Sequence, residues 1–251
     1  MQSFREVLDI PDIVTGLFRM KGRGGGAGYE LDERFSLQIS RGIPPRMWEA
    51  APRNGCFRCM AMFNDFGVVS RYCFDCYKVV ISPRSVVELF KLLLAYEKMV
   101  LPHDNTRKCM IESRDYCSGN YKGYIYNRGK DEGKEVLKIV RDVIDESISP
   151  DVPVTFKRGC SEYAQVYPEY AQIDADTDPM EYRKDWKFYE DFVDENYVFR
   201  DTVDAVGDGK ADYPSRELFA MQYWLRYAAT IGDMSYLVLT EGKTLAPLPQ
   251  P

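Results

Sequence analysis

Two pairs of cysteines carry the clearest chemistry in this sequence. Cys56 and Cys59 are separated by two residues, Cys73 and Cys76 repeat that spacing, and thirteen residues lie between the pairs. Each pair can clamp a metal ion, and four thiolates give the tetrahedral ligand set that Zn²⁺ takes in structural sites. We therefore predict a structural zinc site at these four cysteines. Iron accepts the same geometry and is the less favoured metal.

A further cysteine is a candidate nucleophile. Cys160 follows Gly159 at the end of a predicted strand, with Lys157 and Arg158 just before it. Positive neighbours lower the pKa of a thiol and so favour the reactive thiolate. The alternative is a buried structural thiol. The only histidine, His103, lies in a loop expected at a different end of the predicted sheet, so a Cys–His dyad is not favoured.

Alternating aromatic residues mark a third candidate site. In the run from Lys122 to Tyr126, the two tyrosines Tyr124 and Tyr126 fall on one face of a predicted strand, because successive side chains of a strand point to opposite faces. Aromatic rings on an open sheet face can stack on nucleic-acid bases. The alternative is that both rings pack under the acidic C-terminal third of the chain.

Hydrophobic periodicity and turn signals predict the elements that must position these residues. Ser85-Val-Val-Glu88 is a capping box that opens a helix. In chain order, we predict a strand at 77–81, a helix from Ser85 to residue 99, strands at 108–113 and 121–127, a helix at 130–147 and a strand at 153–157. This order predicts a ferredoxin-like α+β fold, a four-stranded antiparallel sheet with both helices on one face.

Two family resemblances follow from these patterns. Residues 77–158 resemble an RNA-recognition motif in topology, and Lys122–Tyr126 resembles the start of its first ribonucleoprotein signature. This resemblance implies RNA binding through Lys122, Tyr124 and Tyr126. The cysteine spacing over residues 56–76 is similar to zinc-ribbon and rubredoxin-type knuckles, which implies metal-binding turns joined by a hairpin. Such a knuckle stabilises proteins of many different functions, so it does not indicate a particular one.

The flanking segments complete the predicted domain organisation. Residues 1–55 are predicted as an N-terminal helix over 1–20 and a Gly/Pro-rich segment, 56–76 as the metal knuckle, 77–163 as the ferredoxin-like domain, and 164–251 as an acidic, aromatic-rich helical extension with a Pro-rich tail. Within this extension we expect helices at 180–196 and 214–231 and a strand at 235–240. Residues 164–251 hold eight Lys and Arg against 17 Asp and Glu. This balance opposes a broad basic footprint for nucleic acid but leaves room for a local one.

Composition and cysteine use predict a globular cytoplasmic protein. Hydrophobic residues make up 45% and charged residues 29% of the chain. No apolar run reaches the roughly 18–20 residues that span a bilayer, and the first residues lack a secretory signal. The leading interpretation is a zinc-stabilised binding or regulatory module with a protein or RNA partner. The alternatives are an enzyme centred on Cys160 and, with iron in the site, a rubredoxin-like electron carrier. The sequence sets no oligomeric state.

Overall fold

The computed structural model describes residues 18–21, 28–31, 38–41, 55–173, 179–197 and 213–245. The chain divides into two compact units, Ser40–Ala211 and a smaller unit of Met1–Ile39 with Asp212–Pro251. In chain order, the described elements are strands β1 (Phe18–Lys21), β2 (Gly28–Leu31) and β3 (Gln38–Arg41); helix α1 (Gly55–Phe66); strand β4 (Cys76–Ile81); helix α2 (Val86–Lys98); strands β5 (Arg107–Ile111) and β6 (Tyr121–Arg128); helix α3 (Gly129–Ser147); strand β7 (Val154–Arg158); and helices α4 (Ser161–Val166), α5 (Lys187–Asn196), α6 (Tyr213–Ile231) and α7 (Tyr236–Leu239).

A sheet with the strand order β3-β5-β6-β4-β7 forms the centre of the larger unit. Strand β4 pairs antiparallel with both β6 and β7, and β5 pairs antiparallel with β6. The predicted α+β class is therefore confirmed. The strands and helices from residue 76 to 158 begin and end within two residues of their predicted limits, and the Ser85 side chain accepts the Glu88 N–H as the capping box predicts.

Helices α2 and α3 cover one face of this sheet. Gly133 of α3 lies so close to Phe156 that an added Cβ would stand 2.3 Å from its ring, and an added Cβ at Gly123 of β6 would stand 2.5 Å from Leu92 of α2. Val79 and Ile125, which share this face, are fully buried. The covered face is thus an apolar core, and its glycines let the helices approach the strands.

The segment between residues 55 and 76 differs from the predicted hairpin. Both Cys56 and Cys59 lie on α1, residues 67–70 contain no strand, and a 3₁₀ turn at Arg71–Asp75 leads into β4. Gly67 ends α1 with a positive φ of 66°, and its N–H donates to the Phe63 carbonyl at 2.9 Å. A spacing of three residues brings two side chains together on one side of a helix as well as at a turn. The first cysteine pair therefore has a helical setting.

Residues 161–173 and 179–197 build a second core of the larger unit against α1. Its buried members are Cys59, Met62, Val68, Val69, Cys73, Tyr163, Tyr170, Trp186 and Val193. Arg58 of α1 is 1% exposed and its Nε donates to Asp194 of α5 at 2.5 Å. The helix predicted at 180–196 begins later, as a 3₁₀ turn at Lys184–Trp186 followed by α5.

Two predictions for the smaller unit are wrong. Residues 18–20 were expected in a helix, but β1 pairs antiparallel with β2, which satisfies backbone groups of both segments. Residues 236–239 form α7 and no strand, because the Asp233 carboxylate accepts the Ser235 N–H at 3.1 Å and starts a helical turn. The helix predicted at 214–231 is confirmed as α6, which ends before Gly232 at a φ of 78°. The rest of the predicted N-terminal helix, residues 1–17, lies outside the described residues. Within the described part of the chain, no helix combines the length and apolar character needed to cross a membrane.

Candidate functional site

The sheet face opposite α2 and α3 carries an unusual set of side chains. Strand register places Lys78 directly opposite both Tyr126 and Lys157, and Lys108 opposite Tyr124. Directly opposed residues share a face, and these positions alternate with the apolar residues under the helices. We call this surface the lysine face and define it by Lys78, Lys108, Lys122, Tyr124, Tyr126 and Lys157.

Tyr124 stands at the centre of the lysine face. The Nζ atoms of Lys78, Lys108 and Lys157 lie 5.8, 5.6 and 5.9 Å from the centroid of its ring. These distances are within the range of cation–π attraction. Lys78 Nζ also lies 5.1 Å from the Tyr126 ring centroid. Three ammonium groups from three strands therefore gather around one aromatic ring.

The centre of this gathering of charge is buried, and Lys108 and Lys157 at its sides are half-buried. Lys78 is 7% exposed and Tyr124 4% exposed. Burial, and then repulsion by Lys78, lowers the pKa of Lys108 to about 8 and that of Lys157 to about 8. Burial also acts to lower the pKa of Lys78, but interactions with Cys160 and Tyr126 raise it well above its usual value. An anion among these lysines would lower the electrostatic cost of keeping them charged.

The acidic side chains beside Tyr124 are paired with arginine. Arg114 Nη2 lies 2.6 Å from Glu112 Oε2, and Arg114 Nη1 lies 2.6 Å from Glu162 Oε1. The Tyr124 hydroxyl donates to Glu112 Oε2 at 3.0 Å and accepts from Arg114 at 3.1 Å. Burial acts to raise the pKa of Glu112, but hydrogen bonds and the charge of Arg114 bring it below its usual value. Arg114 thus offsets one of the two carboxylate charges and fixes the Tyr124 ring.

Cys160 joins the lysine face at the end of β7. Lys78 Nζ donates to Cys160 Sγ at 3.2 Å. The preceding Gly159 has a φ of 48°, and its N–H donates to the Cys76 carbonyl at 2.7 Å, which extends the pairing of β4 and β7 by one residue. A Cβ at Gly159 would stand 1.9 Å from the Tyr170 hydroxyl, so only glycine fits there.

His103 is placed away from Cys160. Its Nε2 lies 3.4 Å from Glu135 of α3, the helix that covers the opposite face. The structure therefore forms no Cys–His dyad between these two residues.

The four cysteines predicted to bind zinc fall into two settings. Cys59 and Cys73 share a side-chain hydrogen bond, which lowers the pKa of Cys59 and raises that of Cys73. The Tyr163 hydroxyl lies 3.4 Å from Cys73 Sγ. Burial raises the pKa of Cys76 to about 12 and that of Cys56 further. These two thiols face the lysine side, and the other two face the second core.

Cys160 also belongs to this neighbourhood of thiols. Cys160 lies close enough to Cys56, Cys73 and Cys76 to contribute to the raised pKa of each. The sequence analysis treated Cys160 as a separate site, because eighty-three residues lie between it and Cys76, the nearest cysteine of the two pairs. The antiparallel pairing of β4 and β7 brings it back beside Cys76.

The thiols as placed here do not form a metal site. Among the described residues, no three His, Cys, Asp or Glu side chains are grouped so that they could hold a metal ion. The four-cysteine zinc site therefore stays a prediction.

Sequence reasoning found only part of the lysine face. It named Lys122, Tyr124 and Tyr126, and the structure places all three on the same face. Lys122 Nζ, however, donates to the Ser82 hydroxyl at 2.7 Å, so it has its own neutral partner. The missed residues are Lys78, Lys108 and Lys157. A usable signal was the single lysine inside the otherwise apolar run Tyr77–Ile81.

Similarity to other proteins assigns no family to this chain. Comparison with known proteins found no matching family model, no matching curated protein and no matching solved structure.

Proposed function

We propose that this chain is a binding module that engages RNA through the lysine face of its sheet and is braced by zinc at Cys56, Cys59, Cys73 and Cys76. The observation that carries the proposal is the convergence of the Lys78, Lys108 and Lys157 ammonium groups on Tyr124. RNA supplies phosphates in number, and phosphate neutralisation by lysine dominates the affinity of such complexes.

The topology supports the same proposal through a ferredoxin-like arrangement of residues 76–158. Helix α2 connects β4 to β5, and β6 lies between these strands; helix α3 connects β6 to β7, and β4 lies between them. This order of connections supports the proposed ferredoxin-like fold, in which two strand-helix-strand units are split in this way. RNA-recognition motifs, which these residues resemble, bind RNA on the sheet face away from the helices. The lysine face is the equivalent surface.

The burial of Tyr124 assigns different roles to the two tyrosines. Its ring is 4% exposed beneath the three lysines, so we assign Tyr124 to holding the ammonium groups in place. Tyr126 is half-buried and lies at the same face, so it is the ring proposed to stack on a base. The chain carries a net charge of −6, and the footprint is therefore local. A protein partner would need an array of negative charges similar to the phosphates of RNA.

Zinc enters the proposal as a brace and takes no part in recognition. Cys76 opens β4, the strand that carries Lys78, so a metal at the cysteines would fix one end of the lysine face. All seven cysteines are free, which supports a reducing, cytoplasmic location. Elemental analysis of protein purified without added metal tests this part. One zinc per chain supports it, visible absorption from thiolate–iron charge transfer replaces zinc by iron, and metal-free, folded protein removes the metal from the proposal.

Fluorescence anisotropy with a labelled single-stranded RNA of mixed sequence tests the RNA part. Lys157→Ala should weaken binding about tenfold, the loss of one charged hydrogen bond. The matched control is Lys134→Ala, which removes the same charge from an exposed position of α3 behind the sheet. We expect it to bind as the unmodified protein does. No RNA binding at low salt, or equal weakening by both variants, would sink the proposal.

A cysteine-centred enzyme is the second candidate, favoured by the 3.2 Å contact from Lys78 Nζ to Cys160 Sγ. Reactive cysteines of enzymes commonly lie beside a lysine or arginine. Iodoacetamide should then label Cys160 faster than the remaining cysteines, as mapped by mass spectrometry. Lys78→Met should slow that labelling. An unlabelled Cys160 in the folded protein rules this candidate out.

A further inference from the structure

We propose that the lysine face recognises the terminal phosphate of an RNA chain in preference to its internal phosphodiesters. This inference rests on the RNA-binding function proposed above and names the part of the RNA that the three lysines hold.

The first support is the shape of the lysine cluster. Lys108, Lys78 and Lys157 lie on β5, β4 and β7, on both sides of β6, which carries Tyr124. Their Nζ atoms nevertheless lie at nearly equal distances from the Tyr124 ring centroid, between 5.6 and 5.9 Å. Lysines that follow an internal backbone would be spread along a groove. These three are neighbours of one ring, and Lys78 lies close enough to each of the other two to lower its pKa by repulsion, so one phosphate can be shared among them.

The second support is charge. A terminal phosphomonoester carries about −1.5 to −2 at pH 7 and three oxygens that accept hydrogen bonds, whereas an internal phosphodiester carries one negative charge. Glu112 and Glu162, the carboxylates beside Tyr124, are paired with Arg114. These two carboxylates and Arg114 together carry a net charge of −1, so the three ammonium groups leave the cluster with a net charge of +2. This charge matches that of the chain end better than that of an internal link, and three ammonium groups match its three terminal oxygens.

The third support is access. Lys78 and Tyr124 are 7% and 4% exposed, so the centre of the cluster lies below the protein surface. An internal phosphate would have to bring continuous chain in on two sides of it. A terminal phosphate enters with chain on one side only.

The donors that would receive this phosphate hold weak partners in the structure. Lys78 Nζ donates to the Cys160 sulfur, and Lys157 Nζ donates to the Ser161 hydroxyl. A phosphate oxygen is a stronger acceptor than either group, so a terminal phosphate would replace these contacts. Cys160 and Ser161 would then lie at the edge of the bound phosphate.

Three RNAs of one sequence test the inference: one with a 5′ phosphate, one with a 3′ phosphate and one with hydroxyls at both ends. Anisotropy should show one phosphorylated RNA binding at least tenfold more tightly than the hydroxyl form. Lys157→Ala and Lys108→Met should abolish this preference, while Lys134→Ala should keep it. Thermal unfolding of each variant confirms that it is folded before binding is compared.

The outcomes separate this inference from the function on which it rests. Equal affinity for all three RNAs overturns terminal-phosphate recognition and leaves RNA binding in place. No binding of any RNA overturns both. If inorganic phosphate saturates the site at the concentrations at which phosphorylated RNA does, the ligand is a small phosphate and the inference for RNA is wrong.

Discussion

The two faces of the sheet are built from alternating residues of the same strands, yet burial of side chains has opposite effects on stability at the two faces. Val79 and Ile81 are fully buried under α2 and α3, and removing their apolar surface from water stabilises the fold. On the lysine face, Lys78 and Tyr124 are almost as deeply buried. Burying an ammonium group costs free energy unless it is compensated. Folding therefore explains the covered face, and the anion that we propose to bind the lysine face would offset the cost of burial there.

The largest expected effect is on the covered face. Ile81→Ala removes a fully buried side chain between β4 and the helices, so the free energy of unfolding should fall by about 2–5 kcal/mol. Urea denaturation measures this change. The control is Thr155→Ala at an exposed position of β7, expected within about 0.5 kcal/mol of the unmodified protein. A loss below about 1 kcal/mol at Ile81 would mean that this face is not the core.

Replacement of Lys78 should lower the RNA affinity without lowering the free energy of unfolding. Lys78→Met keeps the length of a buried side chain and removes its charge, so the free energy of unfolding should stay the same or rise. RNA affinity should fall about tenfold, which is about 1.4 kcal/mol. Parallel urea and anisotropy titrations give both values. A variant that loses stability and keeps its affinity would reverse the distinction between the faces.

A rise in pH should weaken RNA binding at the lysine face and stabilise the folded chain in the absence of RNA. Lys108 and Lys157, each with a pKa lowered to about 8, lose their protons as pH rises from 7 to 9, so RNA affinity should fall severalfold over that range. Burial raises the pKa of Tyr124 and Tyr126, which stay neutral in this window, and Arg114 stays charged.

Without RNA, stability should change in the opposite direction. Both lysines have a lower pKa in the folded than in the unfolded chain, so the unfolded chain binds more protons between pH 8 and 9 and unfolding becomes less favourable as pH rises. Lys157→Arg, which stays charged throughout, should flatten the binding profile. Affinity that is constant from pH 7 to 9 would exclude these lysines from the binding site.

The smallest effect is expected at Lys122. It shares the lysine face, but its Nζ donates to the Ser82 hydroxyl and lies outside the cluster around Tyr124. Lys122→Ala should therefore weaken RNA binding only two- to threefold, through about 0.5 kcal/mol of long-range charge attraction. An effect as large as that of Lys157→Ala in the same anisotropy assay would extend the site toward Ser82.

The sequence predicts the elements of the sheet better than it predicts the site. The helix at Ser85 and the shared face of Tyr124 and Tyr126 depend on local signals, namely a capping box and the two-residue period of a strand. The convergence of Lys78 and Lys157 depends on the register between strands that are far apart in the chain, which a single sequence does not encode locally.

The hairpin predicted between the two cysteine pairs is wrong for a related reason. A Cys-x-x-Cys spacing fits one side of a helix as well as a metal-binding turn, and Met60–Met62 are residues with good helix propensity. Local propensity extended the helix through Cys56 and Cys59, and Gly67 ended it. The spacing alone cannot distinguish these two settings.

The central claim, that three converging lysines bind RNA phosphate, is tested most directly by the salt dependence of RNA binding. The unmodified protein is compared with the triple variant Lys78→Met, Lys108→Met, Lys157→Met, after urea denaturation has shown that both are folded. Each phosphate neutralised on a single strand contributes a slope of about −0.7 to log K against log salt. Because the three lysines together hold one phosphate, we predict that the triple variant loses about 0.7 from the magnitude of this slope. An unchanged slope would contradict the claim.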